Sequence, residues 1–112
     1  MANLLEPKTA PQIRVTDSQI KLLKEFTYAL RDIHPRDDRS FRWAISMGAG
    51  LLNLTHQDIA ETFSVSRPTV TRWINGQNSP HPAVRPTIYK WMIDQSEEAI
   101  KENQERLEVV AA

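Results

Sequence analysis

Two arginines, Arg67 and Arg72, stand in a short segment bounded by Ser66 and Gly76 that also supplies Pro68, Thr69, Thr71 and Asn75. No carboxylate occurs between Glu61 and Asp94, a stretch that further holds Arg85 and Lys90. A guanidinium is a planar fork of donors. It pairs with anionic oxygens, or with two acceptors lying side by side such as O6 and N7 of guanine. Threonine adds a hydroxyl for a phosphate or a methyl for thymine. The chemistry open to such a set is recognition rather than bond-making.

Catalytic readings find little support. His34, His56 and His81 lie far apart with no metal-ligand spacing, and no serine or carboxylate pair forms a recognisable catalytic set. Of the adjacent Asp37 and Asp38, either fits as the cap of the next helix with the other its solvated neighbour, and Gly48-Ala49-Gly50 lacks the downstream spacing of a phosphate-binding loop. No catalytic residue, metal or cofactor is therefore expected, and the chain does not read as an enzyme. It has no cysteine, which excludes disulfides and thiolate metal sites and fits a reducing cytoplasm. The longest apolar run falls far short of the roughly 20 residues of a membrane helix, and residues 1–11 lack the apolar core of a signal peptide. A cytoplasmic protein with no membrane partner is the expectation.

The formal net charge of zero hides a division along the chain. Residues 1–93 carry twelve Lys/Arg against eight Asp/Glu, whereas residues 94–112 carry two against six. A duplex backbone would meet a purely basic segment around Arg67 and Arg72, with the acidic tail elsewhere. Segregation of this size also arises by chance in small proteins, so alone it decides nothing.

The elements that must position these arginines lie in Leu54–Gly76. Leu54, Ile59, Ala60 and Phe63 recur at helical spacing; Ser64, Val65 and Ser66 interrupt the pattern; Val70, Trp73 and Ile74 resume it. Thr55 with Asp58 three residues on has the layout of an N-terminal cap, and Ser66 caps a second helix in the same way. Because a residue before proline avoids helical angles, Arg67 is an alternative cap. Pro68 fits a first helical turn, where its missing amide is not needed. Asn75 and Gly76 close the second helix.

These residues resemble the helix-turn-helix of the Cro/C1-type (Xre-like) DNA-binding family. The matching positions are Ile59 and Ala60 in the first helix, Val65 and Ser66 in the turn, Val70 and Trp73 in the second helix, then Asn75, Gly76 and Pro80. Where the family has glycine at the corner, this chain has Ser64. A left-handed residue other than glycine costs about 1 to 2 kcal/mol, so the turn is either strained or built differently. The resemblance implies an all-α, five-helix lambda-repressor-like domain whose second motif helix enters the major groove of double-stranded DNA. Base contacts then fall to Arg67, Thr69, Thr71 and Arg72. Phosphate contacts fall to His56, Gln57 and Ser66 at the helix starts, and to Asn75, Gln77, Asn78 and Ser79 at the exit. Arg42, Arg85 and Lys90 are looser phosphate candidates.

The rest of the chain frames this motif. Residues 1–15 read as an arm in which Lys8 and Arg14 are placed to enter a minor groove, although most such termini have no DNA role. Residues 16–107 read as one helical domain, with the motif at 55–76, and 108–112 as a tail. Thr16–Ile33 is an amphipathic helix with capping-box spacing at Thr16 and Gln19 and a broad stripe through Leu22, Phe26, Ala29 and Ile33, accompanied by Ile20, Leu23 and Leu30. Phe41–Leu52 supplies Phe41, Ala44, Ile45, Gly48, Leu51 and Leu52, with Gly48 and Gly50 permitting close packing. After Pro82 and Pro86 a long helix is expected from about Thr87 to Leu107. Its stripe of Tyr89, Ile93, Ile100, Leu107 and Val110, interrupted at Ser96 and Asn103, fits either a weak coiled-coil seam or a helix that frays. Trp73 and Trp91 read as core residues.

The sequence therefore points to a sequence-specific regulator of transcription, a repressor by default, of bacterial, phage or plasmid type. It is expected to bind an inverted repeat as a homodimer, since one short helix reads few base pairs. Two alternatives stand beside it: the targeting part of a recombinase or transposase, which SVSRPTVTRW also resembles, and a protein-interaction module on the same scaffold.

Overall fold

The computed structural model describes residues 17–111, with side chains described as far as Arg106. Five helices and no strand occur among the described residues: α1 (Asp17–Arg31), α2 (Asp38–Leu51), α3 (His56–Phe63), α4 (Arg67–Asn75) and α5 (Arg85–Ala111). The all-helical expectation is met. The expected arm, the Thr16 cap, and the Leu107 and Val110 side chains lie outside the described residues.

Local chemistry sets the helix ends. Asp37 caps α2 by accepting the amides of Arg39 and Ser40, both at 3.1 Å. The amide and hydroxyl of Ser40 hold the Asp37 carboxyl below the usual carboxylate range, so this cap contributes at neutral pH and is lost only as falling pH protonates it. Thr55 and Asp58 form a reciprocal capping box on α3, with amide-to-oxygen distances of 3.0 and 2.8 Å. Ser66 caps α4, which puts Arg67 at its first position and Pro68 at its second.

Left-handed residues terminate the three middle helices: Asn53 (φ 54°), Ser64 (φ 56°) and Gly76 (φ 77°). At each, the following amide bonds back five residues, from Leu54 to Ala49, Val65 to Ala60 and Gln77 to Arg72. This pattern satisfies the last carbonyls of a helix. The corner between α3 and α4 is thus made in the left-handed way, with serine bearing the strain. Ser64→Gly is expected to raise stability by about 1 kcal/mol, the relief of that strain less glycine's entropy cost, measurable by urea unfolding.

Packing draws on one cluster of buried apolar residues from all five helices. Phe41 is its centre, fully buried, with the Trp73 ring 5.8 Å away edge-on and the Tyr89 ring at 6.1 Å. Burial in this cluster pushes the Tyr89 phenol up to about 12. Gly48 lets α2 approach its neighbours: a Cβ there would lie 2.6 Å from the Met92 sulfur and 3.3 Å from Phe26. Gly50 has no such role, since nothing lies within 4 Å of the equivalent position.

Two stripes differ in phase from the sequence reading. On α1 the buried residues are Ile20, Leu23, Phe26, Thr27 and Leu30, whereas Leu22 is exposed and Ala29 half-buried. On α5 the buried line runs through Arg85, Ile88, Tyr89, Met92, Ser96, Ala99 and Asn103, while Ile93 and Ile100 are half-buried. Ser96 and Asn103 continue the seam. Their polar atoms bond back to the preceding turn, Ser96 Oγ to the Met92 carbonyl at 2.8 Å and Asn103 Nδ2 to the Ala99 carbonyl at 2.7 Å. A buried polar group so satisfied costs little. The seam packs α5 along α1 of the same chain, with Arg31 and Glu97 paired across it at 2.6 Å. The helix also starts at Arg85, two residues before Thr87.

Candidate nucleic-acid interface

Val70 and Trp73 anchor α4 in the core, and Trp73 is 5% exposed. The other face of α4 follows from helical periodicity. Arg67, Pro68, Arg72 and Asn75 are exposed, and Thr69 and Thr71 half-buried. Neither the Arg67 nor the Arg72 side chain forms an ion pair or hydrogen bond among the described residues. Two fixed positive charges stand free on one short helix.

The threonines are less free. Thr69 Oγ1 lies 2.7 Å from the capping hydroxyl of Ser66, so the Ser66 hydroxyl is committed to the helix end. Thr71 Oγ1 donates to the Arg67 carbonyl at 3.2 Å and lies 2.8 Å from His56 Nδ1. Both threonine hydroxyls, and that of Ser66, therefore serve the scaffold first. A base or phosphate contact by any of them requires a change of partner. The His56–Thr71 contact ties the start of α3 to the middle of α4, which makes His56 a positioning group for the arginines as well as a candidate contact. Gln57 donates to Glu61 Oε2 at 3.0 Å in an exposed pair that a phosphate can displace.

The exit of α4 forms a second basic feature. Gly76, Gln77, Asn78 and Ser79 line a cleft of about 400 Å³ together with Asp38, Arg39, Arg42 and Arg85. Arg42 lies under the exit: its Nε donates to the Ile74 carbonyl at 3.3 Å, and a Cβ on Gly76 would come within 2.9 Å of it. Arg39 is exposed and forms no ion pair among the described residues. Of the expected phosphate residues of the exit, Gln77, Asn78 and Ser79 are thus gathered beside an arginine, Arg39, that the sequence did not single out, while Asn75 is exposed on α4 outside the cleft. The signal for Arg39 was its i, i+3 spacing with Arg42 at the start of α2.

No family model, curated protein or solved structure matches the chain. Of the looser phosphate candidates, Arg85 is excluded by its surroundings. It is 3% exposed, pairs with Asp38 at 2.8 Å, donates to the carbonyls of Pro80 and Pro35 at 2.9 Å each, and lies 5.5 Å over the Phe41 ring. That is a structural arginine: it joins the loop before α2, the first turn of α2 and the loop after α4. Lys90 is exposed and paired with Asp94 at 3.0 Å. Trp91 is half-buried, edge-on to Phe63 at 5.3 Å. Among the described residues no group of three or more His, Cys, Asp or Glu is placed to hold a metal ion, and no helix is long and apolar enough to cross a membrane.

Proposed function

We propose that this chain binds double-stranded DNA sequence-specifically and regulates transcription, with α3 and α4 acting as the helix-turn-helix of the Cro/C1 type that the sequence resembles. The observation that carries the reading is the pair Arg67 and Arg72: exposed, without an ion pair among the described residues, and fixed on a helix whose opposite face is locked in the core. In the major groove each guanidinium can span O6 and N7 of one guanine. Arg39, Gln77, Asn78 and Ser79 then meet the phosphates beyond the groove, which fix register without reading sequence. Two copies bound to an inverted repeat supply the base pairs that one short helix lacks.

Salt dependence tests the division of labour. Binding to a selected duplex weakens as salt rises, because each phosphate contact releases counterions. Arg39→Ala is expected to lower the slope of log K against log salt by about 0.9 and to leave sequence preference unchanged. An unchanged slope removes Arg39 from the interface. Altered preference makes it a base-reading residue instead.

A further inference from the structure

Five large apolar side chains are exposed among the described residues, and three of them, Leu22, Trp43 and Met47, meet in one place. With Glu25, Phe26, Ala29 and Leu51 they line a groove of about 280 Å³ between α1 and α2, and the Phe26 and Trp43 rings lie 5.7 Å apart within it. Leu22, Trp43 and Met47 are 48%, 40% and 39% exposed. Single exposed apolar residues are ordinary, but a contiguous set framed by charge marks a protein contact. Leu22 belongs to the α1 stripe and yet takes no place in the core, so the stripe is wider than the described residues cover.

We propose that a second copy of the chain covers this groove, α1 crossing its partner antiparallel about a two-fold axis. The argument is charge complementarity. Lys21 and Glu25 stand one helical turn apart beside Leu22, and neither makes an ion pair among the described residues. An antiparallel crossing centred between them brings each Lys21 opposite the partner's Glu25, so the rim is complementary to itself, as an isologous contact requires. The position also leaves α4 uncovered. Arg42 and Ser46 reach from one flank of α2 to the Ile74 carbonyl at the end of α4, whereas Trp43 and Met47 line the groove on the other flank. This deepens the dimer part of the proposed function, and its test is made without DNA, so that the two stand or fall separately.

The full chain is examined by sedimentation equilibrium over about 1 to 100 μM, a range that resolves a concentration-dependent dimer. The wild type is expected to dimerise. Met47→Asp and Lys21→Glu, both at exposed sites, are expected to raise the dimer Kd at least about tenfold with unchanged helical content, since they place a charge against an apolar or like-charged surface. The doubly exchanged Lys21→Glu/Glu25→Lys chain is expected to regain the dimer. A wild type that stays monomeric throughout the range overturns the proposal and leaves the groove to another protein. So does a dimer that both single variants leave intact, or a folded double exchange that stays monomeric.

Discussion

The Arg67→Glu/Arg72→Glu chain is expected to bind no duplex DNA at about 0.15 M salt, where non-specific phosphate attraction is weak, while unfolding at the wild-type temperature. Each arginine that reads a guanine is worth about 1 to 3 kcal/mol, and reversal replaces that gain with repulsion by the phosphates. The fold is indifferent because neither side chain has a partner among the described residues and both are exposed. The conservative variant sharpens the result. Arg72→Lys keeps the charge and loses the fork, so a base-reading role predicts reduced discrimination between sequences, and a phosphate role predicts little change. Titration of labelled duplex against each variant, followed by fluorescence anisotropy, reads both. Retention of wild-type affinity by the doubly reversed chain, with the fold intact, would move α4 out of the interface and favour a protein-interaction role for the scaffold.

The second large effect is on stability. Arg85→Met is expected to cost about 3 kcal/mol, because the change leaves the carbonyls of Pro80 and Pro35 without their donor and removes the cation over Phe41. Asp38→Ala should cost less, about 1 to 2 kcal/mol: the Asp38 side chain is 74% exposed, but its loss leaves the Arg85 guanidinium, 4% exposed, with its two carbonyl bonds and no counter-charge. This asymmetry distinguishes a structural hub from a simple salt bridge. Urea unfolding of the two variants measures it. Equal and small losses would show that solvent replaces the bonds of Arg85 readily, and that the loops before α2 and after α4 do not depend on it.

Local rules were legible in the chain and long-range ones were not. The caps at Thr55, Ser66 and Gly76 each depend on a few consecutive residues, so type and spacing placed the ends of α3 and α4 to within a residue; the choice between Ser66 and Arg67 as the cap, and with it the direction of Arg67, came only with the structure. Even the departure at Ser64 was visible as strain, and the structure resolves it as a left-handed serine. Asp37 was named as a cap on equal terms with Asp38 and takes that place. The phase of the α1 stripe depends on where α5 lies, which no local pattern states. Ser96 and Asn103 read as interruptions because polarity was taken for exposure, whereas each satisfies itself on the preceding turn and packs with the seam. Arg85 was read by its charge as a phosphate contact. Its place on the buried line of α5, four residues before Tyr89 and seven before Met92, was the signal for a core role. Of the candidate interface, the two arginines are exposed on α4, while the hydroxyls of Ser66, Thr69 and Thr71 are spent on the scaffold, a cost visible only once α3 and α4 are packed together.

The central claim is that α4 reads duplex sequence, and the most direct test is selection of the purified full chain against random duplex DNA at about physiological salt. The account predicts enrichment of an inverted repeat with guanines in each half-site, the half-sites about one helical turn apart, and loss of that enrichment in the Arg67→Glu/Arg72→Glu chain. A folded chain that enriches no sequence, or one whose enrichment survives the double reversal, would contradict it.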